Sequence, residues 1–151
     1  MSSTDAVVIA GLPSPRGARE LAGLEADAVE LTADERRHPR RRVTTRGGRV
    51  LVLALPRGEV IVPGALLHVA AAWYATVAAA PEPVLAVSPR SPGERIAVAH
   101  AVGSLHGSVA LDGERLLVPD EPAIERALGR LGVPWARARL PFVPLSTGTP
   151  H

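Results

Sequence analysis

The apolar positions change rhythm near the middle of the chain. Up to about residue 80 they come in short β-rich runs broken by Pro and Gly. "DAVVIAG" predicts a first strand. In "RGARELAGLEADAVELT" the spacing of Leu21, Leu24 and Val29 predicts a partial helix that Gly interrupts. "TTRGGRVLVLAL" has Arg46-Gly47-Gly48-Arg49 between two β-rich runs and predicts a hairpin. "RVLVLALPRGEVIVPGALLHV" then reads as strand, turn, strand, turn, strand, with Pro56-Arg57-Gly58 and Pro63-Gly64 as the turns. "WYATVAAAPEPVLAVSP" adds one or two more strands, and "AAAPEP" at 78–83 is the expected hinge.

After the hinge, strands alternate with helices. "PVLAVSP" (83–89) is a strand. "SPGERIAVAHAVGSLHG" is a helix with Ser91 as N-cap, Pro92 at its first position and Glu94 closing a capping box. "SVALDGERLLVP" (108–119) is two short strands around Asp112-Gly113. "DEPAIERALGRLG" (120–132) is a second helix, capped by Asp120, with Ile124, Leu128 and Leu131 on one face and Gly132 as its stop. "WARARLPFVP" (135–144) is a last strand. The order β-α-β-β-α-β is the ferredoxin-like split βαβ arrangement. The expected fold class is α+β: a small all-β domain over 1–80, a ferredoxin-like βαββαβ domain over 81–145, and a flexible C-terminal tail over 146–151.

Composition narrows the chemistry. The chain has 151 residues, 46% hydrophobic and only 3% aromatic, so its core is built from small branched side chains. It has no Cys, which excludes disulfides, thiolate metal sites and cysteine nucleophiles. The start lacks the pattern of a secretory signal, and the longest apolar stretch, 65–80, carries His68 and Thr76 and stops at Pro81. A soluble cytoplasmic protein is expected. Net charge is +2, and every basic residue is Arg. Seven arginines fall in "ERRHPRRRVTTRGGRV" (35–50). They read either as a phosphate-binding arm or as an exposed strand entering a hairpin; no aromatic stands among them to stack on a base.

The five histidines are His38, His68, His100, His106 and His151, and no two form a zinc-type pair. There is no nucleophile elbow, P-loop or dinucleotide fingerprint. Asp120 and Glu121 read as helix-start carboxylates. His38 reads as a surface residue, His68 as a core or edge residue, and His100 points away from His106. His106, just before Gly107, is either a residue suited to the negative end of a helix or a metal ligand. A single imidazole is a poor metal site. A two-fold homodimer could pair it with its symmetry mate, and the tail could bring His151 over the pair. Imidazole suits nickel, copper and zinc, and an open N/O site suits nickel.

Five segments in order carry a resemblance over residues 35–144. "ERRHPRRRVTTRGG", "LPRGEVIVPGALL", "VAAAPEPVLAV", "AVGSLHG" and "LGVPWARARLPFVP" resemble successive motifs of the UreE family, the nickel metallochaperones of urease maturation. The resemblance implies a homodimer with a partner-binding N-terminal domain and a C-terminal domain that dimerises and holds Ni²⁺ (Zn²⁺ or Cu²⁺ in vitro). Position 106 matches the family's central nickel histidine, shared by two subunits; His151 matches its tail ligands by location only. The implied partners are other urease accessory proteins, including the GTPase, and the urease apoprotein complex. The chain departs from the family at Gly103-Ser104-Leu105-His106, where Asn and Arg are replaced. It departs also at Asp120-Glu121-Pro122, where some members have histidines, at Gly64-Ala65 and at Leu145. One or two nickel ions per dimer are implied, not a nickel store.

The leading expectation is therefore a chaperone that delivers Ni²⁺ to urease and is not an enzyme. The alternatives are a scaffold of the urease accessory complex with weak or lost nickel binding, and an arginine-rich RNA-binding module.

Overall fold

A computed structural model describes residues 5–145, which fall into two compact units divided between Ala80 and Pro81. The first unit holds two three-stranded sheets. In one, β1 (Val7–Ile9) lies parallel to β4 (Val50–Ala54), which pairs antiparallel with β3 (Arg40–Thr44). In the other, β2 (Glu25–Leu31) lies parallel to β6 (Trp73–Ala79), which pairs antiparallel with β5 (Leu66–Val69). Their inward residues, among them Ile9, Leu51, Leu53, Val29, Leu31, Leu67 and Val77, make one buried cluster. The short helices α1 (Ala18–Leu21) and α2 (Ala33–Arg37) sit in the connections. Thr32 and Glu35 start α2 with a reciprocal capping box, at 3.2 and 2.9 Å.

Two elements of this unit differ from the sequence expectation. The helical spacing over 16–32 gives only the four-residue α1; residues 25–31 form β2 instead. There Asp27, Val29 and Leu31 alternate inward, so a period of two wins over the weaker helical period. The turns at Pro56–Gly58 and Pro63–Gly64 are present, but residues 59–62 between them form no strand. Ile61 alone is buried there, its N–H donating to the Arg36 carbonyl at 2.9 Å, while Val60 and Val62 stay exposed.

The second unit runs β7 (Pro81–Val87), α3 (Pro92–Ser104), β8 (Ala110–Asp112), β9 (Arg115–Pro119), α4 (Pro122–Leu131) and β10 (Trp135–Pro141). The sheet order is β10-β7-β9-β8 and every pair is antiparallel, which is the ferredoxin-like topology. Val98 and Val102 of α3 and Ile124 and Leu128 of α4 pack with Leu85, Val87, Leu116 and Val118 of the sheet. The hairpin loop is Gly113-Glu114, one residue later than expected, because Asp112 still pairs with Arg115 in the ladder.

The helix ends refine the expected caps. Ser91 Oγ accepts the Glu94 N–H, but the Glu94 carboxylate reaches back to the Arg90 N–H instead of closing a box on Ser91. The Arg90 guanidinium grips the same carboxylate and also donates to the Gly132 carbonyl at 3.0 Å, tying the start of α3 to the end of α4. These bonds from Arg90 hold the Glu94 carboxyl down at about 2. At α4 the N-cap is Glu121, not Asp120. Asp120 lies one residue outside the helix, with its carboxylate 3.5 Å from Arg137. The buried face is Ile124, Ala127 and Leu128, with Leu131 turned outward. Among the described residues no helix is long and apolar enough to cross a membrane.

Candidate functional site

His106 follows directly on the end of α3. Leu105 is the C-cap, and His106 takes a left-handed backbone with φ of 59°. The His106 N–H donates to the Gly103 carbonyl at 3.0 Å, and the Gly107 N–H donates to the Val102 carbonyl at 2.9 Å. This pair of bonds is a Schellman motif. Its left-handed position ordinarily takes Gly or Asn, and a residue with a Cβ costs roughly 1–2 kcal/mol there. His106 is the one non-glycine residue with positive φ among those described. Gly107, the glycine that follows, is not the left-handed residue.

Gly107 is needed for contact. A Cβ there would lie 2.8 Å from Val102 Cγ1 and 3.2 Å from Ile124 Cδ1. The chain leaving α3 thus passes closely over Val102 and Ile124 at Gly107, while the left-handed reversal is made at His106. The imidazole is exposed. The helix end behind it has no basic residue in its last turn, so its partial negative charge favours a cation at this point. The position suits a cation beside the ring.

The other candidates lie elsewhere. His100 is exposed on α3, one and a half turns earlier, and its carbonyl accepts the Ser104 hydroxyl. His68, half-buried on β5, has its ring 5.3 Å from that of Trp73. His38 is an exposed C-cap of α2 beside Asp34. His151 lies outside the described residues. No group of three or more His, Asp or Glu suited to a metal occurs among the described residues. Among the described residues, His106 belongs to no such group.

A second cluster, missed in the sequence, organises the first unit. The Asp27 carboxylate is nearly buried. It accepts from Arg49 at 2.8 Å, from the Gly47 N–H at 2.9 Å and from the Ala28 N–H at 2.9 Å. Burial by itself would raise this carboxyl, but the hydrogen bonds from Thr45, Arg49 and the two amides outweigh it and hold it at about 2. A Cβ on Gly47 would come within 2.8 Å of Asp27 Oδ2, and Gly48 turns at φ of 85°, so each glycine of the hairpin has its own reason. Arg49 also lies over the Trp73 ring, 4.5 Å from its centroid. The signal available beforehand was an Asp in an inward register, with its partner 22 residues away.

Fold and site together define a class of protein: a two-sheet β unit followed by a ferredoxin-like unit that offers one exposed imidazole at a helix end. The family described as UreE urease accessory protein matches this chain twice, with its N-terminal domain over residues 11–80 and its C-terminal domain over residues 82–150. A urease accessory protein UreE of Deinococcus radiodurans is 44% identical over 114 residues, covering 76% of this chain and 74% of the relative. One from Synechococcus sp. (strain JA-3-3Ab) is 40% identical over 120 residues, covering 80% of each. The chain belongs to the UreE urease accessory protein family.

Proposed function

We propose that this protein is a nickel-carrying chaperone of urease maturation, with Ni²⁺ as cargo held between the His106 imidazoles of two protomers. The observation that carries the reading is His106 itself: an exposed ring, in a left-handed backbone conformation that favours glycine, at the negative end of a helix. One chain supplies one imidazole there, so a site of useful affinity has to be shared. A two-fold axis through this helix end places each ring against its mate. His151 of the tail is proposed as an additional ligand. The protein performs no bond chemistry in this reading; unprotonated imidazoles hold the ion and give it up. The partners follow from the family: other urease accessory proteins, including the GTPase, and the urease apoprotein complex.

Calorimetric nickel titration of wild type and His106→Ala, with the solution mass of both, tests this. Expected are dimers in both cases, with nickel uptake of one ion per dimer in wild type and a loss of at least tenfold in affinity in the variant, on the order of 1.4 kcal/mol or more. Equal uptake by both, or by neither, reduces the protein to a scaffold of the accessory complex. The observation favouring that second reading is the lack of any further donor cluster among the described residues.

A further inference from the structure

The seven arginines of 35–50 are mostly engaged by the fold. Arg36 is buried and donates to the Leu31 carbonyl at 2.7 Å. Arg37 lies 3.7 Å from Asp34, Arg41 2.8 Å from Glu35, and Arg46 2.7 Å from Glu30. Arg49 is held by Asp27 and Glu25. Arg40 and Arg42 are different. Both are exposed on β3, an edge strand, and neither makes an ion pair among the described residues. Arg57, exposed in the turn after β4, is likewise unpaired. Arg40 and Arg57 line one concavity of about 370 Å³ together with His38.

The register shows what lies beside them. Arg42 pairs with Val52, Val52 pairs with Val8, and Arg40 pairs with Ala54. Leu51 and Leu53 point into the core, so Val52 and its neighbours belong to the opposite face. Val8 is 65% exposed there. The face thus joins a strip of aliphatic side chains to a row of unneutralised guanidinium groups.

We propose that this outer face of the β1-β4-β3 sheet docks a protein segment that carries carboxylates beside aliphatic side chains. Charge complementarity selects the acids, since three cations sit here without counter-charges. The valine strip selects against a nucleic acid, whose phosphates would lie on apolar surface, and the face has no aromatic ring on which a base could stack. The inference rests on the accessory-protein reading only for the existence of a partner, and it does not depend on nickel.

The test uses the full chain and a short fluorescent peptide of Asp, Glu, Leu and Val, with a Lys-for-acid peptide and a single-stranded RNA of similar length as controls. Fluorescence anisotropy reads binding to wild type, to the triple variant Arg40→Glu, Arg42→Glu, Arg57→Glu, and to Val8→Ser. The acidic peptide is expected to bind wild type, to lose at least tenfold in affinity to the triple variant, and to weaken on Val8→Ser. The triple variant should keep the wild-type unfolding midpoint and nickel uptake, which separates this face from the metal site. No binding of the acidic peptide, equal binding by the triple variant, or binding of the RNA in its place overturns the proposal.

Discussion

At the residue scale, two side chains stand where a local rule would not place them. Asp27 occupies an inward position of β2, and it is stable there because four donors surround it. Its folded pKa is depressed, so its contribution is present above the ordinary carboxylate range and disappears as pH falls through about 2. The size is about 2 kcal/mol, from a shift of roughly two units. Urea unfolding of wild type should therefore lose stability between about pH 4 and pH 2, while Asp27→Asn should start about 2–3 kcal/mol lower and lack that part of the acid dependence. An unchanged pH profile in the variant would remove Asp27 from this role. His106 is the other case. The sequence shows a histidine before a glycine at a helix end, and that position of the side chain was legible. The left-handed backbone at 106 was not, because nothing in the local pattern marks which residue past the helix makes the reversal, nor that Gly107 passes close to Val102 and to Ile124 of a different helix.

At the element scale, the second unit was readable almost throughout. Its helices carry start and stop signals, Ser91-Pro92 and Gly132, and its strands β7 and β9 are nearly continuous apolar runs. The first unit is less legible in its sequence. The alternation of β2 is broken by a charged residue whose partner Arg49 comes from a distant hairpin, so the pattern looked helical. Residues 59–62 have strand composition but no neighbour to complete a ladder, and composition does not report that. Packing between elements is equally invisible, and Gly107 is the sharpest instance. Gly107→Ala pushes a methyl against Val102 and Ile124, and the expected cost is about 1–3 kcal/mol in urea unfolding. A midpoint equal to that of wild type would show that α3 and α4 separate freely at this end.

At the scale of the whole molecule, the chain has two units with separate cores, and the two proposals fall one in each. The proposed docking face lies in the first, and the lone imidazole lies in the second. Family membership joins them, but a conformational cost at one residue links the metal reading to physics. If His106 persists in the left-handed position because it ligates nickel, relieving that cost should trade function for stability. Thermal unfolding of wild type and His106→Gly, each with and without nickel, tests this most directly. The account predicts that His106→Gly is more stable than wild type without metal, by about 1 kcal/mol, because glycine adopts this backbone freely. It also predicts that nickel at about a hundredfold above its Kd stabilises wild type by roughly 2.7 kcal/mol and leaves His106→Gly unmoved. A glycine variant that is less stable, or that nickel still stabilises, would contradict the claim that this histidine is held in an unfavourable conformation to bind the ion.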